Sequence, residues 1–182
     1  MQKAFVLLTL LAVASARMVR PGEELTSTHP AWTSDHQKIN NLSSAEAQEQ
    51  SLVRDLFGDV PTYSGFVEIN EQTGSSMYFL FMHATKVNPK DAPVMLWLQG
   101  GPGCSSWTGN FGEFGPFQLV RSSDGSIKMF PRDLTWNDKY NILFVDNPFG
   151  AGYSYAATQE EYVSDEKTMS KNLYKTLQVF FQ

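Results

Sequence analysis

The feature that most constrains the fold is a nineteen-residue stretch, Leu98 to Pro116, which contains six glycines and two prolines. It follows directly on Ala92 to Leu98 (APVMLWL), a continuous apolar run. Such a run is typical of a strand that is covered on both faces of a mixed or parallel sheet. Because glycine permits backbone conformations and close approaches that a Cβ would block, we expect this strand to end in a loop of unusual geometry.

Other apolar segments alternate with turn signals and predict more of the same sheet. Two segments joined by the turn-rich EQTGSS predict a hairpin, and a second hairpin flanks Asp124-Gly125. A further buried strand leads into the loop NPFGAGYSY, and a helix capped by Ser164 follows it. The strand segments are Ser64 to Asn70, Met77 to Ala84, Phe117 to Val120, Ile127 to Phe130 and Asn141 to Asp146, and the apolar helix face holds Met169, Leu173, Leu177 and Phe180.

The N-terminal region predicts export of the chain. Residues 1–16 carry Lys3, an apolar core and the small-residue pattern Ala14-Ser15-Ala16, which together are typical of a signal peptide. Residues 17–50 are polar and without sustained periodicity, so they predict a flexible leader or propeptide-like arm. Asn41-Leu42-Ser43 is a glycosylation acceptor that export would make usable. No later segment is long and apolar enough to span a membrane.

Charge and histidine placement exclude several classes of partner and cofactor. The net charge is −5 and no Lys/Arg-rich run occurs, which argues against nucleic acid or an anionic membrane surface as the main partner. His29 and His36 lie in the polar arm, and His83 lies on a presumed core strand without a nearby ligand pair. We therefore predict no metal and no cofactor.

The residues alone leave three interpretations of the glycine-rich stretch. A phosphate loop fits poorly, since neither of the common glycine patterns is present and Pro102 removes one of the amides that such a loop needs. A simple turn after a strand is the second interpretation. The third is an oxyanion site, where the glycines bring backbone amides close to a tetrahedral intermediate. Cys104, the only cysteine, could be a buried small side chain, a free thiol or half of a disulfide.

Two long motifs, in this order, resemble those of the serine carboxypeptidase family. They are WLQGGPGCSSWTGNFGEFGP and TWNDKYNILFVDNPFGAGYSY, and the resemblance extends from about Leu52 to the C-terminus. It implies that residues 51–182 are the N-terminal part of an α/β-hydrolase fold with a central mixed β-sheet, which would be incomplete. It also implies hydrolysis of C-terminal peptide bonds in a secreted, lysosomal or vacuolar setting.

The same resemblance implies roles for individual residues. Gly101 would supply an oxyanion amide, and Gln99 and Glu113 would hold the terminal carboxylate of a peptide substrate. Trp97 and Gly100 lie beside them as further substrate-binding residues. A protonated Glu113 could donate to that carboxylate, which agrees with activity at acid pH. Gln99 stands where the family usually has Asn, and Cys104 resembles half of a disulfide whose partner is not in this sequence.

The family's catalytic serine, aspartate and histidine have no counterparts before Gln182. Ser105 and Ser154 lack the strand, turn and helix of a nucleophile elbow, and every histidine precedes both of them. Asp146 is interpreted as a structural residue at a strand end, and Trp136 and Asn141 as packing and turn residues. The sequence therefore predicts an N-terminal fragment that is inactive alone, with peptide C-termini and the missing C-terminal half of the fold as partners. The alternatives are a non-catalytic module that binds peptide C-termini and part of a related acyltransferase.

Overall fold

The computed structural model describes residues 38–101 and 103–182. The predicted signal peptide and most of the predicted leader lie outside these residues. Two helices, seven strands and three short helical turns follow one another along the described chain. The elements are α1 (Ser44–Ser51), β1 (Leu52–Val53), β2 (Thr62–Asn70), β3 (Ser75–Met82), β4 (Val94–Trp97), a π-helical turn (Gly109–Phe114), β5 (Phe117–Arg121), β6 (Ile127–Pro131), a 3-10 turn (Trp136–Asp138), β7 (Asn141–Val145), a 3-10 turn (Gln159–Glu161) and α2 (Glu166–Phe180).

The central sheet is mixed, as the sequence predicts. Its five strands lie in the order β1-β2-β3-β7-β4, and only β4 runs parallel to its neighbour, β7. The predicted hairpins are both present: β2 pairs with β3 in this sheet, and β5 pairs with β6 in a separate two-stranded sheet. Antiparallel strands at one side and a parallel pair at the other place the end of β4 beside the end of β7.

Strands β3 and β7 form the centre of the sheet and are buried on both faces. Successive side chains of a strand point to opposite faces, so each strand contributes to two apolar clusters. Tyr78, Leu80, Ile142 and Phe144 belong to one cluster. The other cluster contains Met77, Phe79, Leu143 and Val145. The unbroken apolar runs of these segments follow from this two-sided burial.

Strand β4 differs from its prediction, because it is not covered on both faces. It is the last strand of the sheet, and no further strand pairs with it among the described residues. Val94 is 43% exposed and Leu96 is 36% exposed. Both side chains point to the same face, so the apolar run of β4 leaves one face of the sheet edge uncovered in residues 38–101 and 103–182.

The predicted leader extends too far, because the last part of it is ordered. Residues Ser44–Ser51 form α1, and Lys38 forms a β-bridge with Phe66. A capping box starts the helix: the Ser43 side chain accepts from the Glu46 amide, and the Glu46 side chain accepts from the Ser43 amide. Reciprocal capping satisfies two backbone N–H groups at the helix start and stabilises even a polar helix.

Helix α2 packs its apolar side against the sheet, and its cap is one residue later than predicted. Asp165, not Ser164, is the N-cap, because the Asp165 carboxylate accepts from the Thr168 amide at 2.9 Å. Leu173, Leu177 and Phe180 contact the cluster that contains Phe79. The predicted apolar helix face is thus partly covered by the chain's own sheet. No helix in the described ranges is long and apolar enough to cross a membrane.

The turn between β2 and β3 is held by Glu161. Its carboxylate accepts hydrogen bonds from three side chains of the turn: Asn70 at 2.7 Å, Thr73 at 2.8 Å and Ser75 at 2.8 Å. Partial burial raises the pKa of Glu161, but these hydrogen bonds outweigh it and the net pKa is lowered. The ionised form of Glu161 therefore stabilises the fold.

We expect this contribution to be lost at low pH. A carboxyl whose pKa is lowered by folding stabilises the protein above its unfolded pKa, about 4.3 for glutamate, and stops doing so as pH falls through the folded value. The difference in free energy of unfolding between wild type and Glu161→Gln should shrink below that pH in urea titrations. Glu160→Gln removes a neighbouring exposed charge that makes no side-chain hydrogen bond in the described residues, and it should change stability at neutral pH by less than about 0.5 kcal/mol. A difference that grows on acidification would contradict the role of Glu161.

Candidate carboxylate-binding site

Three of the predicted substrate-binding residues form a hydrogen-bonded chain just beyond the end of β4. The Trp97 indole Nε1 donates to Gln99 Oε1 at 2.9 Å, which fixes the orientation of the Gln99 amide. Gln99 Nε2 then donates to Glu113 Oε1 at 3.1 Å. Gln99 is half-buried and Glu113 is exposed. The arrangement presents an amide donor and a carboxyl group side by side at the surface.

Asp146 anchors the glycine-rich loop to the end of β7. Its buried carboxylate accepts from the Ser105 hydroxyl at 2.8 Å and the Ser106 amide at 2.7 Å on one oxygen, and from the Tyr153 amide at 2.9 Å on the other. Burial raises the pKa of Asp146, and these hydrogen bonds oppose the rise. Ser106 links the loop to β4, because its hydroxyl accepts a hydrogen bond from the backbone N–H of Gln99 at 3.1 Å. Gln99 is therefore tied to both β4 and β7.

Gly109 leaves the space that the Trp97 indole occupies. A Cβ at this position would lie 2.4 Å from Trp97 Nε1 and 3.0 Å from Gln99 Oε1. Contacts this short cannot be accommodated without moving the indole. The absence of a side chain at residue 109 is thus required for the hydrogen bond between Trp97 and Gln99.

We predict that Gly109→Ala disrupts this bond and lowers the free energy of unfolding by about 1–3 kcal/mol, the usual cost of overpacking. The indole N–H resonance of Trp97 should shift in NMR spectra, and urea denaturation should show the loss. Gly100→Ala is the stability control, since a Cβ there would contact nothing within 4 Å. An unshifted indole resonance in Gly109→Ala would show that this contact does not fix Trp97.

The predicted oxyanion residue lies in the same loop. Gly101 has φ 149°, a value that L side chains rarely adopt, and a Cβ there would lie 3.1 Å from Cys104 Sγ. No described residue accepts a hydrogen bond from the Gly101 amide. Gly100 is exposed beside it. Cys104 is a half-buried free cysteine, so its predicted disulfide stays a prediction.

The two serines considered as nucleophiles have structural hydrogen bonds instead. Ser154 is buried, donates to the Asp146 carbonyl at 2.5 Å and accepts from the Tyr78 amide at 2.7 Å. Ser105 donates to Asp146. His83 lies between Tyr63 and Phe81, and burial lowers its pKa. No serine is hydrogen-bonded to a histidine within residues 38–101 and 103–182, and no cluster of metal-ligating side chains occurs there.

Sequence reasoning did not identify every residue that builds this site. It missed Ser106 and Gly109, and it gave Asp146 a structural role without the hydrogen bonds that define it. It also missed Arg132 and Thr135, which hold the turn that carries Glu113. The position of Asp146 at the end of a buried strand was a sequence signal for its structural role, whereas nothing in the local sequence connects Arg132 with Glu113.

A mixed sheet with a glycine-rich loop beyond a parallel strand and a helix packed on its face is an α/β-hydrolase-like arrangement. Residues 55–182 match the family described as serine carboxypeptidase. The chain is 37% identical over 155 residues to serine carboxypeptidase S10 family member 2 of Dictyostelium discoideum, covering 81% of this chain and 28% of that protein. It is 34% identical over 168 residues to vitellogenic carboxypeptidase of Aedes aegypti, covering 92% and 34% respectively.

A solved structure supports the same assignment. Kex1(delta)p, a prohormone-processing carboxypeptidase from Saccharomyces cerevisiae, superposes with a TM-score of 0.53 at 29% identity, over 67% of this chain and 28% of that one. The chain belongs to the serine carboxypeptidase family. It spans between 28% and 34% of the length of these curated relatives.

Proposed function

We propose that this chain forms the substrate-carboxylate-binding part of a serine carboxypeptidase, which hydrolyses the C-terminal peptide bond. The observation that carries the proposal is the hydrogen-bonded chain from Trp97 through Gln99 to Glu113. A primary amide carries two N–H donors, so Gln99 can keep its bond to Glu113 and offer its second donor to a carboxylate.

The backbone of the glycine-rich loop supports a second element of this chemistry. The backbone N–H of Gly101 donates no hydrogen bond to any described residue, so it is available to donate one to an oxyanion. Glycine at 101 and 100 keeps side chains out of the space that a tetrahedral intermediate needs. We assign Gly101 this role, with Gly100 and Trp97 lining the same substrate-binding region.

The remaining catalytic groups would come from a C-terminal part of the fold. Two features support this: the uncovered edge and face of β4, and an apolar groove of about 500 Å³ between α1, α2 and the sheet. Exposed apolar surface of this kind is usually covered by another element. The continuing polypeptide would then pair with β4, fill the groove and supply the triad. The groove is lined by residues that include Ile39, Phe79, Phe81, Val94, Phe180 and Phe181.

The 182-residue chain by itself should therefore release no C-terminal residues from peptides. All three histidines precede Ser105 and Ser154, so neither of these two serines has a histidine after it in the chain. A peptide-release assay tests this, with the product of any longer transcript as the positive control. Release by the purified chain that a serine-directed inhibitor abolishes would overturn the proposal. The N-terminal signal pattern supports export to a secreted, lysosomal or vacuolar location.

A second candidate is a non-catalytic module that binds peptide C-termini. It is favoured by the fact that Trp97, Gln99 and Glu113 are already assembled within this chain. Both candidates require recognition of a carboxylate and differ only in whether a longer product exists. A transcript that continues past the codon for Gln182 into a nucleophile elbow supports the first, and an in-frame stop supports the second.

A further inference from the structure

Glu113 is held at its place by its backbone more than by its own side chain. The residue is exposed, and its carboxylate has Gln99 as its one hydrogen-bond partner among the described residues. It lies in the six-residue π-helical turn Gly109–Phe114. Such turns are less favourable than α-helix and usually need support from outside. Whatever fixes this turn therefore fixes the distance between Glu113 and Gln99.

The turn is internally tight at its end. The Gly115 amide donates to the Asn110 carbonyl at 3.0 Å, which closes the wide π-type ring. A Cβ at Gly115 would lie 2.0 Å from Asn110 Oδ1 and 2.4 Å from its carbonyl oxygen. Asn110 is buried. Only glycine at 115 is compatible with this closure, and the carbonyl groups that follow Asn110 have no partner within the turn, as at any helix end.

A segment from outside the turn donates hydrogen bonds to three of these carbonyl groups. Arg132 Nη2 donates to the Phe111 carbonyl at 2.8 Å, and Arg132 Nε donates to the Gly115 carbonyl at 3.0 Å. The Thr135 hydroxyl donates to the Phe114 carbonyl at 2.7 Å. The fixed fork of a guanidinium group holds two acceptors in a defined geometry, which an ammonium cannot do. Arg132 therefore forms hydrogen bonds with the backbone on both sides of Glu113, at Phe111 and at Gly115.

Stacked rings add a third contact from the same segment. Trp136 is 46% exposed, yet its ring stacks on Phe114 with centroids 4.3 Å apart and an interplanar angle of 26°. It also meets Trp97 edge to face at 6.0 Å. Trp97 orients Gln99, and Phe114 lies next to Glu113. The ring of Trp136 therefore contacts the supports of both residues of the proposed carboxylate site.

We infer that the segment Arg132–Trp136 positions Glu113 for carboxylate recognition, with Arg132 as its principal positioning residue. This inference rests on the proposed function, since it gives a purpose to the spacing of Gln99 and Glu113. Every hydrogen bond of the Arg132 side chain in the described residues goes to a backbone carbonyl between Phe111 and Phe117, so we assign Arg132 no contact with the substrate. Its effect passes through the backbone to Glu113.

The test compares a peptide with a free C-terminal carboxylate with the same peptide as its C-terminal amide. Both are titrated against the full chain at acid pH, and the ratio of the two dissociation constants is recorded. Arg132→Met keeps the alkyl stem and removes the donors, so we expect it to reduce the preference for the free acid by about tenfold or more, as misplaced binding groups do. Thr135→Val, of equal size, should reduce it less.

Arg121→Met is the matched control, because it removes the same charge from the exposed end of β5, where the arginine side chain makes no hydrogen bond in the described residues. It should leave the ratio unchanged. The ratio of dissociation constants separates positioning from loss of structure, since misfolding weakens the binding of both peptides. If Arg132→Met does not fold, Thr135→Val is used in its place. A wild-type preference that persists in both folded variants would overturn this inference alone. No preference in wild type would overturn the proposed function, and this inference with it.

Discussion

Replacing Asp146 by alanine should lower the free energy of unfolding by about 3 kcal/mol or more, because each buried donor left without an acceptor costs about 1–3 kcal/mol. Three donors lose their partner: the Ser105 hydroxyl and the amides of Ser106 and Tyr153. Asp146 is 1% exposed, so water does not reach its position in the folded chain. The loss is measured by urea denaturation followed by circular dichroism.

Two further variants separate the hydrogen bonds from the charge. Asp146→Asn keeps one oxygen for Ser105 and Ser106 but turns an N–H₂ group towards the Tyr153 amide, so its loss should be intermediate. Asp133→Ala removes an exposed carboxylate that makes no hydrogen bond in the described residues and should change stability by less than about 0.5 kcal/mol. Similar values for Asp146→Ala and Asp133→Ala would show that the glycine-rich loop does not depend on this anchor.

Glu113 should give the largest effect on binding. Glu113→Ala removes one donor to the peptide carboxylate and should weaken binding about 10- to 100-fold at acid pH, since a hydrogen bond to a charged group contributes about 1.5–3 kcal/mol. Glu113→Gln carries a permanent N–H donor. It should therefore retain more of the binding than Glu113→Ala does.

The affinities of the three proteins for one peptide with a free C-terminal carboxylate are the comparison that tests this role. Calorimetric titrations at acid pH should show tight binding in wild type and in Glu113→Gln and weak binding in Glu113→Ala. Glu71→Ala, in the exposed turn after β2, is the charge control and should follow wild type. A Glu113→Gln protein that binds the peptide as weakly as Glu113→Ala would mean that a hydrogen-bond donor at residue 113 does not hold the peptide carboxylate.

Much of the fold could be predicted because apolar patterns report which faces of a strand can be buried. The runs of β3 and β7 are buried on both faces, as their composition indicates. The equally apolar β4 is half exposed, because a pattern cannot state whether a neighbouring element is present. Helix α1 was missed although Ser43 and Glu46 have the spacing of a capping box, since the segment lacks apolar periodicity.

The candidate site could likewise be predicted only in part from the sequence. Motif resemblance indicated Gln99 and Glu113, and the structure places them in hydrogen-bond contact. The supports of the site could not be predicted, because they depend on distances across the fold. Arg132 holds a turn 21 residues before it, and Gly109 is required by an indole twelve residues before it. Such contacts depend on the path of the backbone and leave no periodic signal in the sequence.

We propose that Gln99 and Glu113 recognise a terminal carboxylate. Titration of the chain at acid pH with one short peptide, as its free acid and as its C-terminal amide, tests this recognition. The free acid should bind at least about tenfold more tightly, because a single hydrogen bond to a charged group contributes about 1.5–3 kcal/mol. Equal affinity for the two peptides, or no binding of either, would contradict it.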